Sequence, residues 1–301
     1  MTDTIRGALF MTLAMAAFAV EDALIKGLSN SFVPAQIVWM LGLGGTLAFA
    51  AYLRATGQTL WTSAYLTRPI MARTGFEAIG TLFFVSALAV VPLALASAVI
   101  QATPLLVALG SVLFFGAQVR WRRWAAIAVG FAGVLVILRP TGEGFEATTL
   151  LAVCGMLGLA GRDLSTRAVP ATMSGLRLSF LAFASLVPVG LLLQGVQGLP
   201  VIAPNLSQIG ILGLCVAVGM IGYVIIVAAT RMGDMAIVSS FRYSRMMFAL
   251  IVATVFFGES PDFWTLVGVA IVIGAGVFTL LREAKVHRAA SKAKRHALQG
   301  N

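Results

Sequence analysis

Apolar stretches, each long enough to cross a bilayer and each closed by a short polar break, follow one another along almost the whole chain. A hydrocarbon core about 30 Å thick requires roughly 20 apolar residues of helix. On that measure the pattern predicts ten spans, at 7–28, 34–53, 71–90, 94–115, 124–139, 148–168, 176–195, 207–230, 235–257 and 263–281. The connections between them are short, so no separate catalytic domain fits outside the membrane.

The second five spans carry traces of the first five. Phe114-Phe115-Gly116 recurs as Phe256-Phe257-Gly258. At nearly the same offset the run Gly133 to Arg139 matches Gly276 to Arg282, and Asp22 and Lys26 match Asp163 and Arg167. Five is an odd number of crossings, so a duplicated five-span unit sits upside down relative to its partner. Inverted repeats characterise secondary transporters, whose substrate site lies between halves that rock against each other. The expected fold is therefore an all-α membrane protein of ten transmembrane helices, built as two inverted five-helix repeats around a central cavity. The first repeat is expected over 1–140, the second over 146–282, and a basic tail over 283–301.

Composition agrees with a membrane chain: 59% of residues are hydrophobic and only 11% charged, with a mean hydropathy of +0.97. A soluble domain of this length needs far more polar surface. Cys154 and Cys215 both fall inside spans, and neither a disulfide framework nor a metal-ligand spacing is present, so no cofactor or metal is expected. The N-terminus shows no cleavable-signal pattern, and the first span is expected to be retained.

The net charge of +10 is distributed by side. Alternate loops hold Arg54, Arg68, Arg73, Arg120, Arg122, Arg123, Arg177 and Arg231, and the same side carries the N-terminal Arg6 and the basic tail. The opposite loops hold Arg139 with Glu143, Glu146, Glu259 and Asp262. Short basic loops stay cytoplasmic, so both termini are expected inside. The tail is suited to anionic lipid headgroups rather than to a nucleic acid.

The ending Val255-Phe256-Phe257-Gly258-Glu259-Ser260-Pro261, the fourth-span run Ala96 to Leu105 and the Gly-rich final span Gly268 to Leu281 are similar to the drug/metabolite transporter superfamily, in its EamA-like branch. The resemblance covers about residues 6–283. It implies a ten-helix carrier in a bacterial inner membrane, working by alternating access, with helices 1–4 and 6–9 enclosing the cavity and helices 5 and 10 at the periphery. One departure stands out: the first repeat has Ala117-Gln118 where the motif usually carries the acid seen as Glu259. Glu259, beside Pro261, is expected to cap the next helix or order a loop.

Ionisable residues inside spans carry the chemistry: Glu21, Asp22, Lys26, Glu77, Arg162, Asp163, Arg167, Arg242 and Arg245. A central charge costs about 2.5–3.5 kcal/mol even on the gentler insertion scale, so such groups pair or line a wet cavity. Asp22 with Lys26, and Asp163 with Arg167, are four apart and allow local ion pairs that close two gates; the alternative is that Lys26 and Arg167 snorkel to the interfaces. Arg162 lies beside the second pair.

Arg242 and Arg245 break the symmetry of the repeat, since the offset aligns them with Ile100 and Thr103, and Tyr243 with Gln101. A guanidinium near the midplane suits bidentate recognition of a carboxylate or phosphate. Arg245, with no obvious acid at its depth, is the stronger candidate for substrate; Arg242 has Glu77 or Asp163 as a possible structural partner. Ser239 shares their face, Tyr243 is placed to stack on cargo, and Gln101 and Glu77 complete the candidate site. Glu21 has no opposite charge four residues away, and burial disfavours a charged carboxylate, so Glu21 or Glu77 is a candidate for coupling to a proton gradient or for a cationic group of the substrate. Pro104, Pro188, Gly219 and Gly222 are candidate kinks or close-packing points.

No clustered nucleophile, metal site or paired catalytic carboxylates favours an enzyme. Buried, repeat-related charges also argue against a continuous pore. The expected function is secondary transport of a small organic metabolite with an anionic or zwitterionic group, amino acid or nucleoside- or vitamin-like, proton-coupled or exchanging. The alternative is an exporter of cationic or aromatic compounds.

Overall fold

The computed structural model describes residues 3–115, 121–139, 146–170, 172–230, 232, 238, 241–278 and 281. Among these every regular element is helical. We label them α1 (Asp3–Leu28), α2 (Pro34–Ala55), α3 (Arg68–Val90), α4 (Leu93–Ile100), α5 (Thr103–Phe115), α6 (Trp121–Leu138), α7 (Thr149–Thr166), α8 (Gly175–Val196), α9 (Leu206–Thr230), α10 (Ser244–Phe257) and α11 (Phe263–Phe278). Six stretches, α1, α2, α3, α4 with α5, α8 and part of α9, are long and apolar enough to cross a membrane.

Helix ends follow local chemistry. Pro34 opens α2 from an extended Val33, where a missing N–H costs nothing. At α9 the side chain of Asn205 accepts from Gln208 N and that of Gln208 accepts from Asn205 N, both at 2.9 Å, a reciprocal capping box. Ser174 caps α8 by accepting from Arg177 N, and Asp262 caps α11 by accepting from Thr265 N at 2.8 Å.

The fourth span is broken, and the ninth is described only in part. The fourth divides at Gln101–Ala102, where Pro104 lacks the N–H a continuous helix would use, so α5 starts afresh at Thr103. The ninth, expected over 235–257, is described as a tight turn, Phe241–Tyr243, leading into α10; positions 235–237, 239 and 240 lie outside the described residues. Pro188, by contrast, sits inside an unbroken α8.

The most extensive helix pairs are α3 with α7, α2 with α8, and α1 with α9; α1 also packs on α10, α7 on α5 and α4, and α4 on α10. Exchanging the two halves of the chain maps this set onto itself, with α1·α9 becoming α7·α3. Small residues set the approach distance, as they must where lipid supplies no hydrophobic drive. A Cβ on Gly80 of α3 would stand 2.8 Å from Leu159 N of α7, and one on Gly222 of α9 would stand 3.3 Å from the Ala17 Cβ of α1. Large apolar side chains face outward along the bundle, among them Leu47, Leu113, Phe114, Leu192, Val255 and Phe256. That is the pattern of a lipid-facing surface.

Candidate functional site

Charged side chains gather in the interior in two groups and at one end in a third. The first group lies between α1 and α10. Asp22, 3% exposed, takes Arg245 in a fork: Nη2 donates to Oδ2 at 2.6 Å and to Oδ1 at 2.8 Å, and Nε donates to Oδ2 at 3.2 Å. The rings of Phe18 and Phe84 stand 5.6 and 5.9 Å from the guanidinium and hold its faces. Glu21, one residue before Asp22, lays its carboxylate against Gly219 of α9, where an added Cβ would meet Oε1 at 2.5 Å. That glycine is what makes room for the acid.

The second group joins α3 and α7. Glu77 lies between two guanidiniums, Arg73 at 3.4 Å one helical turn before it and Arg162 at 3.0 Å. Arg162 Nε also donates to Asp163 at 2.8 Å, and Arg73 donates to the Leu178 carbonyl of α8 at 3.3 Å. Arg242 belongs near this group, close enough to feel the charges of Asp163 and Arg162. Its Nε is buried and has no hydrogen-bond partner.

At one end of the bundle Lys26 meets Glu259 at 3.5 Å and donates to the Val91 carbonyl at 2.8 Å. Both Glu259 oxygens accept from the first N–H groups of α4, Leu93 at 2.8 Å and Ala94 at 3.1 Å. The left-handed turn at Gly258, φ 64°, lets the chain double back after α10 and aim the acid there. A carboxylate at a helix N-terminus is favourable twice over, by hydrogen bonding and by the helix dipole. Nearby, Arg139 pairs with Asp262, and this hydrogen bond holds the Asp262 carboxyl below its usual range.

Several expectations need correction. Asp22 does not pair with Lys26: Arg245 from α10 presents two parallel N–H groups that a single ammonium cannot match, and Lys26 reaches Glu259 and two carbonyls instead. Nor does Asp163 pair with Arg167. Asp163 is engaged by its neighbour Arg162, and Arg167 Nη1 donates to Ser111 Oγ at 2.6 Å. Arg245 is therefore the matched arginine and Arg242 the one with an unmet donor, the reverse of the sequence reading. Glu77 holds Arg73 and Arg162, not Arg242. Glu259 caps α4 across the bundle, while Asp262 caps the helix that follows.

The Tyr243 ring fills the space beside Gly276 of α11, and its hydroxyl, close enough to feel the charge of Arg242, is buried without a hydrogen-bond partner. Gln101 Nε2 donates to the Tyr243 carbonyl at 3.2 Å, so two positions 142 residues apart, equivalent in the repeat, touch each other. Ser239 lies outside the described residues.

The sequence reading missed Arg73, which it assigned to a basic loop; its spacing of four from Glu77 was the available signal. It also missed Ser111, which adjoins the charges only across helices. Phe18 and Phe84, aromatics that the sequence places near the cavity helices and favours as packing, stand against Arg245. The two clearest hollows, of about 550 and 240 Å³, are apolar grooves on the outside, between α6 and α11 and among α2, α8 and α9. Neither is lined by these charges.

Known proteins place this arrangement. The model of the EamA-like transporter family matches residues 5–139 and again 147–281. A riboflavin transporter of Rhizobium johnstonii is 28% identical over 290 residues, 94% of this chain and 93% of that protein. The pseudopaline exporter CntI of Pseudomonas aeruginosa is 28% identical over 274 residues, 89% and 94% of the two chains. An S-adenosylmethionine uptake transporter of Rickettsia bellii is 26% identical over 203 residues, 66% and 67%. A solved crystal structure superposes with a TM-score of 0.64 over 92% of this chain and 98% of its own, at 19% identity, and shares the fold. A bundle of apolar helices with charges turned inward, matched over both halves by one family model, is a multi-pass membrane protein, and the chain belongs to the EamA-like transporter family within the drug/metabolite transporter superfamily.

Proposed function

We propose that the chain is a secondary carrier for a small organic metabolite bearing an anionic or zwitterionic group, with Arg242 as the residue that receives the anion. The observation that carries this reading is the buried Arg242 Nε, which has no hydrogen-bond partner; Arg73 Nε is also unmet, but Arg73 pairs with Glu77, whereas no ion pair holds Arg242 among the described residues. A buried cation with an unmet donor is costly alone and stabilised by a carboxylate or phosphate oxygen. The charges of Arg162 and Asp163 act on it, and Gln101 of the fourth span donates to the carbonyl of Tyr243, the residue that follows it in sequence.

Transport by alternating access between two inverted halves, 1–140 and 146–282, is supported by the exchange symmetry of the helix contacts and by the paired family matches. The basic loops favour both termini on the cytoplasmic face, with the tail 283–301 at the lipid surface. Relatives named for riboflavin, for S-adenosylmethionine uptake and for pseudopaline export favour a small organic cargo.

The test is a thermal-shift screen of the purified protein against anionic and zwitterionic metabolites, repeated with Arg242→Gln. A hydrogen bond to a charged group contributes about 1.5–3 kcal/mol, so the variant is expected to bind a stabilising metabolite about ten- to a hundredfold more weakly. Undiminished affinity in Arg242→Gln, or stabilisation by cationic compounds alone, overturns the assignment.

A further inference from the structure

We infer that Glu21 takes up and releases one proton in each transport cycle, which makes the proton the coupling ion; this rests on the carrier reading above and deepens it. Glu21 and Asp22 are adjacent carboxylates that share one guanidinium, and the fork of Arg245 is spent on Asp22. The titratable groups around Glu21 are Asp22 on its own helix, Arg245 from α10, and Cys215 from α9, whose Sγ lies 3.8 Å from the Glu21 carbonyl. Among the described residues no further cation reaches it, and on its open side stands Gly219, which offers no side chain at all.

Glu77, the other candidate acid, is in the opposite situation. It is held between Arg73 at 3.4 Å and Arg162 at 3.0 Å, two cations for one carboxylate.

The interior charges then add up in an informative way. Arg73, Glu77, Arg162 and Asp163 cancel, as do Asp22 with Arg245 and Lys26 with Glu259. Arg167, at the exposed end of α7, lies outside this sum, so among the described buried groups what remains is one positive group, Arg242, and one negative group, Glu21. That described interior is neutral when empty. An anion at Arg242 alone leaves it negative, a proton on Glu21 alone leaves it positive, and both together restore neutrality.

A net charge within hydrocarbon is costly, so the empty and the doubly loaded forms are the ones that change orientation readily. That is the condition for carrying an anion and a proton in the same direction. The proton adds to a Glu21 carboxylate oxygen from water on one side, forming an O–H bond, and leaves to water on the other. No electrons move.

Infrared difference spectroscopy of the purified protein, titrated between about pH 5 and 9 where a buried carboxyl changes state, reads this proton without any cargo. A carboxylic-acid carbonyl band is expected to appear and vanish across that range in the native protein and in Glu77→Gln, to be absent in Glu21→Gln, and to change frequency in Glu21→Asp, which keeps an acid should the amide variant fail to fold. A native protein with no titrating band, or a band that persists unchanged in Glu21→Gln or Glu21→Asp, overturns the inference. Because no metabolite is present, that failure leaves the anion test at Arg242 standing.

Discussion

At the scale of single residues, the Asp22–Arg245 fork decides most. It joins the first span to the ninth through two nearly dry groups, with side-chain exposures of 4% and 21%. Arg245→Gln strands Asp22 in the interior and is expected to destabilise the protein by about 3–5 kcal/mol, whereas Asp22→Asn with Arg245→Gln recovers most of that loss. Denaturation of the detergent-solubilised variants checks it; a single variant as stable as the native protein refutes the fork's role. Asp262 makes a gentler case outside the membrane. Its folded carboxyl is depressed by the hydrogen bond from Arg139, so the contribution is present above its unfolded value near 3.8 and fades as pH falls through the lower folded value. Asp262→Asn is therefore expected to flatten a small loss of stability on acidification. The sequence announced that these residues were special, because charge among apolar neighbours is rare. It did not announce their partners.

At the scale of elements, close approach and end latches govern. The α3–α7 contact rests on Gly80 meeting Gly158 and Leu159 backbone to backbone. Gly158→Leu is expected to force the helices apart at a cost of about 1–3 kcal/mol, read as a lowered Tm with the ion pairs of Glu77 weakened. The latch at the other helices joins α1, the α3–α4 turn and the loop after α10 through Lys26 and Glu259. Lys26→Met and Glu259→Gln should each lower stability, and their double variant should lose less than the sum, with a coupling of about 0.5–3 kcal/mol. Additive losses would mean that the two side chains act apart. In the first repeat the sequence has Ala117-Gln118 where the acid would stand, positions outside the described residues, and the counterpart cation Arg167 donates to Ser111. The positions of the spans were legible in the sequence, since apolar length is a local property. The break of the fourth span was half legible from Pro104, and its turn at Gln101 was not, because that turn is fixed by the Tyr243 carbonyl arriving from the other half.

At the scale of the whole molecule, the ten spans expected from hydropathy would return the chain to the side where it began. A single cysteine at Ala289 in the basic tail and another at Thr4 are expected to react with an impermeant thiol reagent only after the cells are opened; labelling of either in intact cells would contradict the orientation read from the basic loops. The chain by itself determined the membrane class, the order of helices and the trace of duplication, because hydropathy and repeated motifs are written along one dimension. Only the tertiary structure decided which acid meets which base. Spacing of four residues permits an ion pair on one helix, but a guanidinium from a neighbouring helix that offers two donors to one carboxylate outcompetes it. Which arginine keeps an unmet donor follows from that competition, and no reading of the line of residues contains it.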